Sequence, residues 1–317
     1  MQHLYLRQQS SARAIAALAG HFPTNQWFDR LLVPADGDIF VWKPNGEPLL
    51  CVLRGAFSGA SARHAYEAIV PLARSTPQDN RGIAAGIVQH SDPALAVNRQ
   101  GSRRKVGQMA AVRYRPVKLD GTVSKTNYAK LVPSFVAGYV DASPRFPYCR
   151  QTAYTNRYPE RLVALLPLLV EVSHLFQSVL PTRYVAQQAM ITKAPRDFVI
   201  PGTVFTTLTI NRNFQTALHQ DAGDLKAGFG VMLCWRFGAY TGGYYVMPQF
   251  RVAVDLYAGD VLFSDVHEWH GNTALEGSVL AYERISIVCY MREKMVQCGS
   301  QQEELVRVKR RHALLQG

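Results

Sequence analysis

Thr203–Asp224 reads TVFTTLTINRNFQTALHQDAGD: a β-branched run followed by a polar loop that carries His219-Gln220-Asp221. The texture of Thr203–Asn211 predicts a strand, because β-branched and aromatic residues suit a pleated, half-buried surface. The same texture recurs downstream in Phe229–Phe237, Gly243–Val246, Val252–Leu256, Asp260–Phe263 and Arg284–Met291, with Gly-rich turns between them. Tyr184–Ile191, just upstream, reads as a further strand. A series of short strands after a helical region predicts an α+β protein, a β-sandwich or jelly-roll barrel backed by helices.

Working outward, Arg157–Leu180 has the length and apolar spacing of a helix that Pro167 must kink or split. Pro167, Glu171 and His174 interrupt its apolar face, so it reads as a buried helix rather than a membrane span. Further upstream, Ser11–His21 and Ser58–Arg74 read as helices. Asp38–Trp42 and Leu49–Leu53 read as a hairpin turned by Pro44-Asn45-Gly46. Residues 77–130 show little periodicity and predict long loops. The simplest organisation is a mixed N-terminal extension over 1–140, a catalytic core over 141–300 and a basic C-terminal helix or tail over 301–317.

With 317 residues, 48% of them apolar, the chain is long enough to bury a core. Five cysteines, odd in number, widely spaced and without a C-x-x-C pair, argue against a disulfide framework or a cysteine-built zinc site. Any metal ligands are therefore expected among histidines and carboxylates. The N-terminus lacks the order of a signal peptide, so an intracellular protein is expected. No obligate protein partner and no membrane partner are evident.

The net charge of +12 points to a polyanionic partner. Nine basic residues between Arg99 and Lys130, among them Arg103, Arg104, Lys105, Arg113 and Arg115, face the single acid Asp120. With Tyr114 and Tyr128 interleaved, the segment at about 99–130 reads as a DNA-backbone contact. The alternative is a solvated loop in a basic protein.

An iron oxygenase needs two histidines and a carboxylate on one face of the metal. An H-x-D can supply two ligands from one segment, but alone it is a weak signal, and His90-Ser91-Asp92 matches too. Only His219-Gln220-Asp221 is followed by a β series with further histidines, His267 and His270. Either can complete the set, and the context Trp269-His270-Gly271-Asn272 favours His270. Arg284 then stands within an apolar strand, where an unpaired charge is costly. The distal carboxylate of a keto acid would satisfy it through a bidentate pair. A salt bridge to Glu283 or Glu293 is the competing explanation.

These residues together resemble the TET/JBP family of DNA 5-methylpyrimidine oxygenases. The resemblance runs through Thr206–Asp224, Gly242-Gly243-Tyr244, Gly259-Asp260-Val261-Leu262, His267–Asn272 and Arg284–Tyr290. Asp79-Asn80-Arg81-Gly82 extends it weakly toward the N-terminus. It implies a double-stranded β-helix core and dependence on Fe(II), 2-oxoglutarate and O2. By position, it makes His219, Asp221 and His270 the iron ligands. Arg284 and Ser286 fall at the distal carboxylate of 2-oxoglutarate, with Asn211 assisting.

The implied substrate is DNA carrying a 5-methylpyrimidine, flipped out of the helix. Asp224, Tyr290, Arg292 and Asn80 fall where relatives contact the base, although ordinary core packing would also account for Tyr290. The first expectation is oxidation of 5-methylcytosine to 5-hydroxymethylcytosine. A JBP-type thymine hydroxylase making 5-hydroxymethyluracil is the alternative, and a non-catalytic DNA-binding protein that retains the fold is an alternative of another class. The cysteine-rich insert of animal TET enzymes is absent. The pattern is that of compact microbial or phage members, so the cytoplasm of a bacterial or phage-infected cell is expected rather than a nucleus.

Overall fold

The computed structural model describes residues 1–7, 10–75, 81–90, 113–115, 122, 128–129, 132–144, 146–278 and 280–316. The first part of the chain gives β1 (Gln2–Tyr5), α1 (Ala12–Ala16), β2 (Arg30–Leu32), β3 (Ile39–Trp42), β4 (Pro48–Leu53) and α2 (Gly59–Ser75). Next come β5 (Val88–His90), β6 (Arg113–Arg115), β7 (Tyr128–Ala129), β8 (Ser134–Val140) and β9 (Arg150–Gln151). Three helices follow: α3 (Ala153–Arg157), α4 (Pro159–Val179) and α5 (Pro181–Ile191). The strand-rich part contains β10 (Thr207–Arg212), β11 (Gly230–Gly238), β12 (Thr241–Gly242), β13 (Tyr245–Met247) and β14 (Val252–Val254). It ends with β15 (Val261–Ser264), β16 (Gly271–Asn272), β17 (Leu275–Glu276), β18 (Tyr282–Tyr290) and the C-terminal α6 (Gln301–Gln316).

A nine-stranded sheet runs in the order β1-β3-β4-β15-β11-β18-β10-β8-β9, and a four-stranded sheet in the order β16-β13-β14-β2. Strand alternation assigns the two faces of the larger sheet. Leu208, Ile210, Val231, Leu233, Val261, Phe263, Ile285, Ile287 and Cys289 share one core with Ile69 of α2 and Leu165, Leu168 and Phe176 of α4. The intervening residues Thr209, Asn211, Met232, Leu262, Ser264, Arg284, Ser286, Val288 and Tyr290 turn the other way. They line a cavity of about 360 Å³ whose far wall includes Tyr245 and Asn272 of the smaller sheet. A second core, with Ile39, Val41, Leu50, Val52, Tyr245, Met247, Val252 and Val254, joins the two sheets beside that cavity. Helices thus cover one face of the large sheet, and the cavity lies against the other.

The hairpin β3–β4 pairs as expected, antiparallel, and α2 and α6 lie where helices are expected. The segment 184–191, read as a strand, is instead part of α5. Pro181 at its first turn needs no hydrogen-bond acceptor, and the helix buries Gln187 and Ile191. The buried Gln187 donates to the Val204 carbonyl at 2.7 Å, so a polar residue on the inner face carries little penalty. The helix read from Ser11 is shorter than expected, ending at Ala16. Pro167 neither splits nor ends α4. It lies on the exposed side, as does Val163 one turn earlier, so water can reach the carbonyl that the proline leaves unpaired. α4 is long and apolar enough to cross a membrane, yet Leu162, Leu165, Leu168, Leu169, Val172 and Phe176 are buried in the core, which accounts for its apolarity.

The cysteines depart from expectation. Cys149 and Cys298 form a disulfide, with Cα atoms 5.7 Å apart, although 149 residues separate them in sequence. Glu304 in α6 binds the same junction, accepting from the backbone N–H of Cys149 at 2.9 Å and of Gly299 at 2.7 Å. Cys51, Cys234 and Cys289 are free and buried. Closing so long a loop restricts the unfolded chain, so Cys149→Ser with Cys298→Ser is expected to lower stability by about 2–5 kcal/mol. Urea unfolding with and without reductant checks this, and a wild-type midpoint indifferent to reductant would contradict the pairing.

Candidate active site

The loop after β10 is fastened at several points. Asn213 grips the β18 backbone twice, its N–H donating to the Arg284 carbonyl at 2.8 Å while its side-chain Oδ1 accepts from the Arg284 N–H at 2.7 Å. Farther along, Ala217 N–H donates to the Ala84 carbonyl and Leu218 N–H to the His21 carbonyl. His219 and His270 then exchange a pair of backbone hydrogen bonds, 2.9 and 3.0 Å, as an isolated antiparallel bridge. The loop after β10 and the turn before β16 therefore meet at these histidines.

The backbone also sets the ring tautomers. Nδ1 of His219 donates to the Ala217 carbonyl at 2.8 Å, and Nδ1 of His270 donates to the Glu268 carbonyl at 2.9 Å. With Nδ1 protonated, each neutral ring presents its Nε2 lone pair. Both Nε2 atoms face Asp221, one 3.6 Å from Oδ1 and the other 3.6 Å from Oδ2. Ligand atoms of all three residues lie within 4.8 Å of one another. Burial, reinforced by His270, pushes the His219 pKa down to about 4. For Asp221, burial works upward, but the two histidines and Arg81 outweigh it and hold the carboxyl below its usual range. The set is thus two imidazole Nε2 atoms turned to one carboxylate, the donor types that a facial metal site requires.

His267, the competing third ligand, is turned elsewhere. Its Nε2 is 3.2 Å from the Asp224 carbonyl and its Nδ1 is 3.4 Å from the Asp265 carboxylate.

Arg284 is only 5% exposed, and no carboxylate lies within ion-pair distance of it among the described residues. Its neighbour Glu283, on the opposite face of β18, is held by Arg74 at 2.7 Å, Arg212 at 2.7 Å and Tyr66 at 3.0 Å. The competing salt bridge is therefore absent. The buried guanidinium instead faces the cavity together with Ser286 and Asn211, whose side-chain oxygen is buried and without a hydrogen bond. A buried cation without a carboxylate partner among the described residues, lining the same cavity as a three-donor metal set, fits an anionic co-substrate.

Asp224, Tyr290 and Arg292 line the same cavity. Burial, and after it the Asp221 charge, push the Asp224 pKa well up. The Tyr290 hydroxyl lies 3.2 Å from Thr209 Oγ1. Arg292 is anchored through Nε to Asp141 at 2.8 Å, and its guanidinium lies against Gly223, where an added Cβ would come within 2.5 Å of it. Asn80, Arg103, Arg104 and Lys105 lie outside the described residues, while Arg113 and Arg115 begin and end β6. Arg81 was not singled out, yet it lines the cavity with its Nε buried and unpartnered. Its only signal was membership of Asp79-Asn80-Arg81-Gly82.

Residues 136–293 match a family model, Tet_JBP, described as the oxygenase domain of the 2OGFeDO superfamily. The matched span contains every residue of the triad, Arg284 and the base-side residues of β18. Residues 136–293 are a Tet/JBP oxygenase domain. Curated relatives include the bifunctional helicase and thymine dioxygenase JBP2 of Trypanosoma cruzi, 32% identical over 203 residues, which are 62% of this chain and 18% of that protein. Thymine dioxygenase JBP1 of Crithidia fasciculata is 37% identical over 174 residues, 54% of this chain and 21% of that protein. The chain thus spans about a fifth of the length of these relatives. Among solved structures, NgTET1 in complex with 5mC DNA superposes with a TM-score of 0.52, covering 95% of this chain and 100% of that one. At 12% identity that likeness shows the fold, a TET-type jelly-roll oxygenase core. For the Tet/JBP domain, Fe(II), 2-oxoglutarate and O2 follow from the superfamily, and the His219–Asp221–His270 set fits the metal.

Proposed function

We propose that the chain hydroxylates the 5-methyl group of a pyrimidine base in DNA. The observation that carries the reading is one cavity holding both the His219–Asp221–His270 cluster and the buried Arg284, which has no carboxylate partner among the described residues. His219, Asp221 and His270 would hold Fe(II). Arg284, with Ser286 and Asn211, would hold the distal carboxylate of 2-oxoglutarate. When bound, iron and 2-oxoglutarate supply the oxidising power that activates O2 and converts a C–H bond to C–OH, with succinate and CO2 as co-products.

The chain's own residues do the rest. The Arg284 charge would orient the keto acid within the cavity. Tyr290, fixed by Thr209, offers a ring face for an extruded base, while Asp224 and Arg292 offer polar groups to its edge. A methyl group inside a duplex cannot reach a buried metal, so the base is extruded, and contacts outside the cavity must offset part of the lost stacking. One basic strip leads away from the cavity. Arg292 binds Asp141, whose carbonyl accepts from Arg150 at 3.5 Å, and Arg150 and Arg311 both lie over the Phe146 ring, at 4.3 and 5.1 Å. Lys309 and Arg310, which precede Arg311 on α6, are exposed. If the strip follows phosphates, Lys309→Glu with Arg310→Glu should weaken DNA binding and reduce its salt slope by about one per lost contact. Fluorescence anisotropy across a salt series measures the slope. An unchanged slope removes the strip from the interface.

The curated relatives are named thymine dioxygenases, which favours thymine as the base. 5-Methylcytosine presents the same methyl group and is the base of the DNA in the fold relative. A duplex containing both bases, incubated with protein, Fe(II) and 2-oxoglutarate and then digested, decides by nucleoside mass spectrometry. Hydroxymethyldeoxyuridine supports the first and hydroxymethyldeoxycytidine the second. Succinate formation with neither base altered overturns the DNA substrate.

A further inference from the structure

Lys43 immediately follows β3, more than ninety residues before the matched domain begins at residue 136. It is 9% exposed, and its Nζ is 2.7 Å from Asp265 Oδ2 and 2.7 Å from Glu268 Oε1. We propose that Lys43 is a positioning residue for the metal centre, holding the turn that presents His270 by bridging two of its carboxylates. This rests on the reading of His219, Asp221 and His270 as metal ligands.

The turn is organised around those two acids. Asp265 N–H donates to the Leu49 carbonyl at 2.9 Å, tying the turn to β4, and Asp265 Oδ1 accepts from His267 N–H at 3.2 Å. Glu268 N–H closes the turn on the Asp265 carbonyl at 3.1 Å. The Glu268 carbonyl in turn accepts from His270 Nδ1, the bond that fixes this ring's tautomer and directs Nε2 at Asp221. One ammonium thus grips both ends of the turn. Burial works against its charge, and the hydrogen bonds to Asp265 and Glu268 more than compensate, raising the Lys43 pKa.

Without the ammonium, two carboxylates on one short turn face each other in a partly buried place. The Glu268 side chain, 21% exposed, is free to swing into water, and its carbonyl is the acceptor that orients His270. A partner behind a ligating histidine governs metal affinity in this way, typically by about 10–100-fold.

The test uses the metal-free full chain titrated with Co(II), read by visible absorption and by melting temperature. Three forms are compared with wild type: Lys43→Met, Lys43→Arg, and a triple variant adding Asp265→Asn and Glu268→Gln to Lys43→Met. The triple variant removes the stranded charges without restoring the bridge. The expected result is Co(II) affinity about 10–100-fold weaker in Lys43→Met, with an altered absorption band. In the triple variant the metal-free melting temperature recovers while the affinity stays weak, and Lys43→Arg keeps most of the affinity. Wild-type affinity and spectrum in Lys43→Met would overturn the proposal. So would affinity that recovers together with melting temperature in the triple variant, since Lys43 would then act through stability alone. If wild type itself gives no Co(II) spectrum, the metal-centre reading fails before any variant is compared, and the proposal falls with it.

Discussion

Asp221→Ala protein is expected to release no succinate above background and to bind Co(II) at least about 100-fold more weakly than wild type. Both Nε2 atoms face this carboxylate, each at 3.6 Å, so it is the one group shared by the two histidines and the only anionic donor of the cluster. Two neutral imidazoles alone leave a divalent ion with an incomplete face and no charge neutralisation. The loop that carries it is held independently, by the His219–His270 backbone bridge and by Asp221 N–H donating to the Val266 carbonyl at 3.0 Å. The variant should therefore fold, and its melting temperature without metal reports that directly. Succinate release near the wild-type rate would remove Asp221 from the metal.

The second large effect has two opposite signs. Arg284→Met is expected to weaken 2-oxoglutarate binding on the order of 100-fold, because a buried bidentate charge pair loses one partner. The same substitution should stabilise the protein in the absence of co-substrate by about 1–4 kcal/mol, since it replaces a buried charge that lacks a carboxylate with an apolar side chain of similar length. Glu283, the nearest acid in sequence, stays with Arg74 and Arg212 and gains nothing. Calorimetric titration gives the first quantity and thermal unfolding without ligand the second. A variant that binds 2-oxoglutarate normally, or that melts lower in its absence, would contradict the assignment of this cavity end to an anion.

Much of the site was legible because it rests on short-range patterns. Arg284–Met291 was legible as a strand, and in the structure its alternation turns Arg284, Ser286 and Tyr290 to the cavity and Ile285, Ile287 and Cys289 to the helix-side core. The order of H-x-D, strand, histidine, strand and arginine survived because each member lies on or beside a regular strand. The choice of His270 over His267 depended on local context, and in the structure it is His270 that bridges to His219 and turns its Nε2 to Asp221. What escaped is what depends on distant partners. Tyr184–Ile191 has a strand-like apolar run, yet Pro181 and the burial of Gln187 make it a helix. Cys149 and Cys298 meet only because β9 and the start of α6 pack together, a contact that no local spacing announces. Lys43 and Glu268 are 225 positions apart, and a lone lysine in a hairpin reads as a surface charge until the turn it grips is seen. Arg81 stood in a tetrapeptide too short to interpret.

The most direct measurement follows oxygen atoms. A duplex bearing the oxidisable 5-methylpyrimidine is incubated with the protein, Fe(II) and 2-oxoglutarate under 18O2, and both the digested nucleosides and the succinate are weighed by mass spectrometry. One labelled oxygen in the hydroxymethyl group and one in succinate, formed in equal amounts, is the predicted result. It would place co-substrate, metal and methyl group in the single cavity formed by β10, β11, β15 and β18. Labelled succinate with an unmodified duplex would keep the oxygenase and reject the DNA base as its substrate. No labelled succinate, from protein that is folded and carries iron, would contradict the account of the cavity itself.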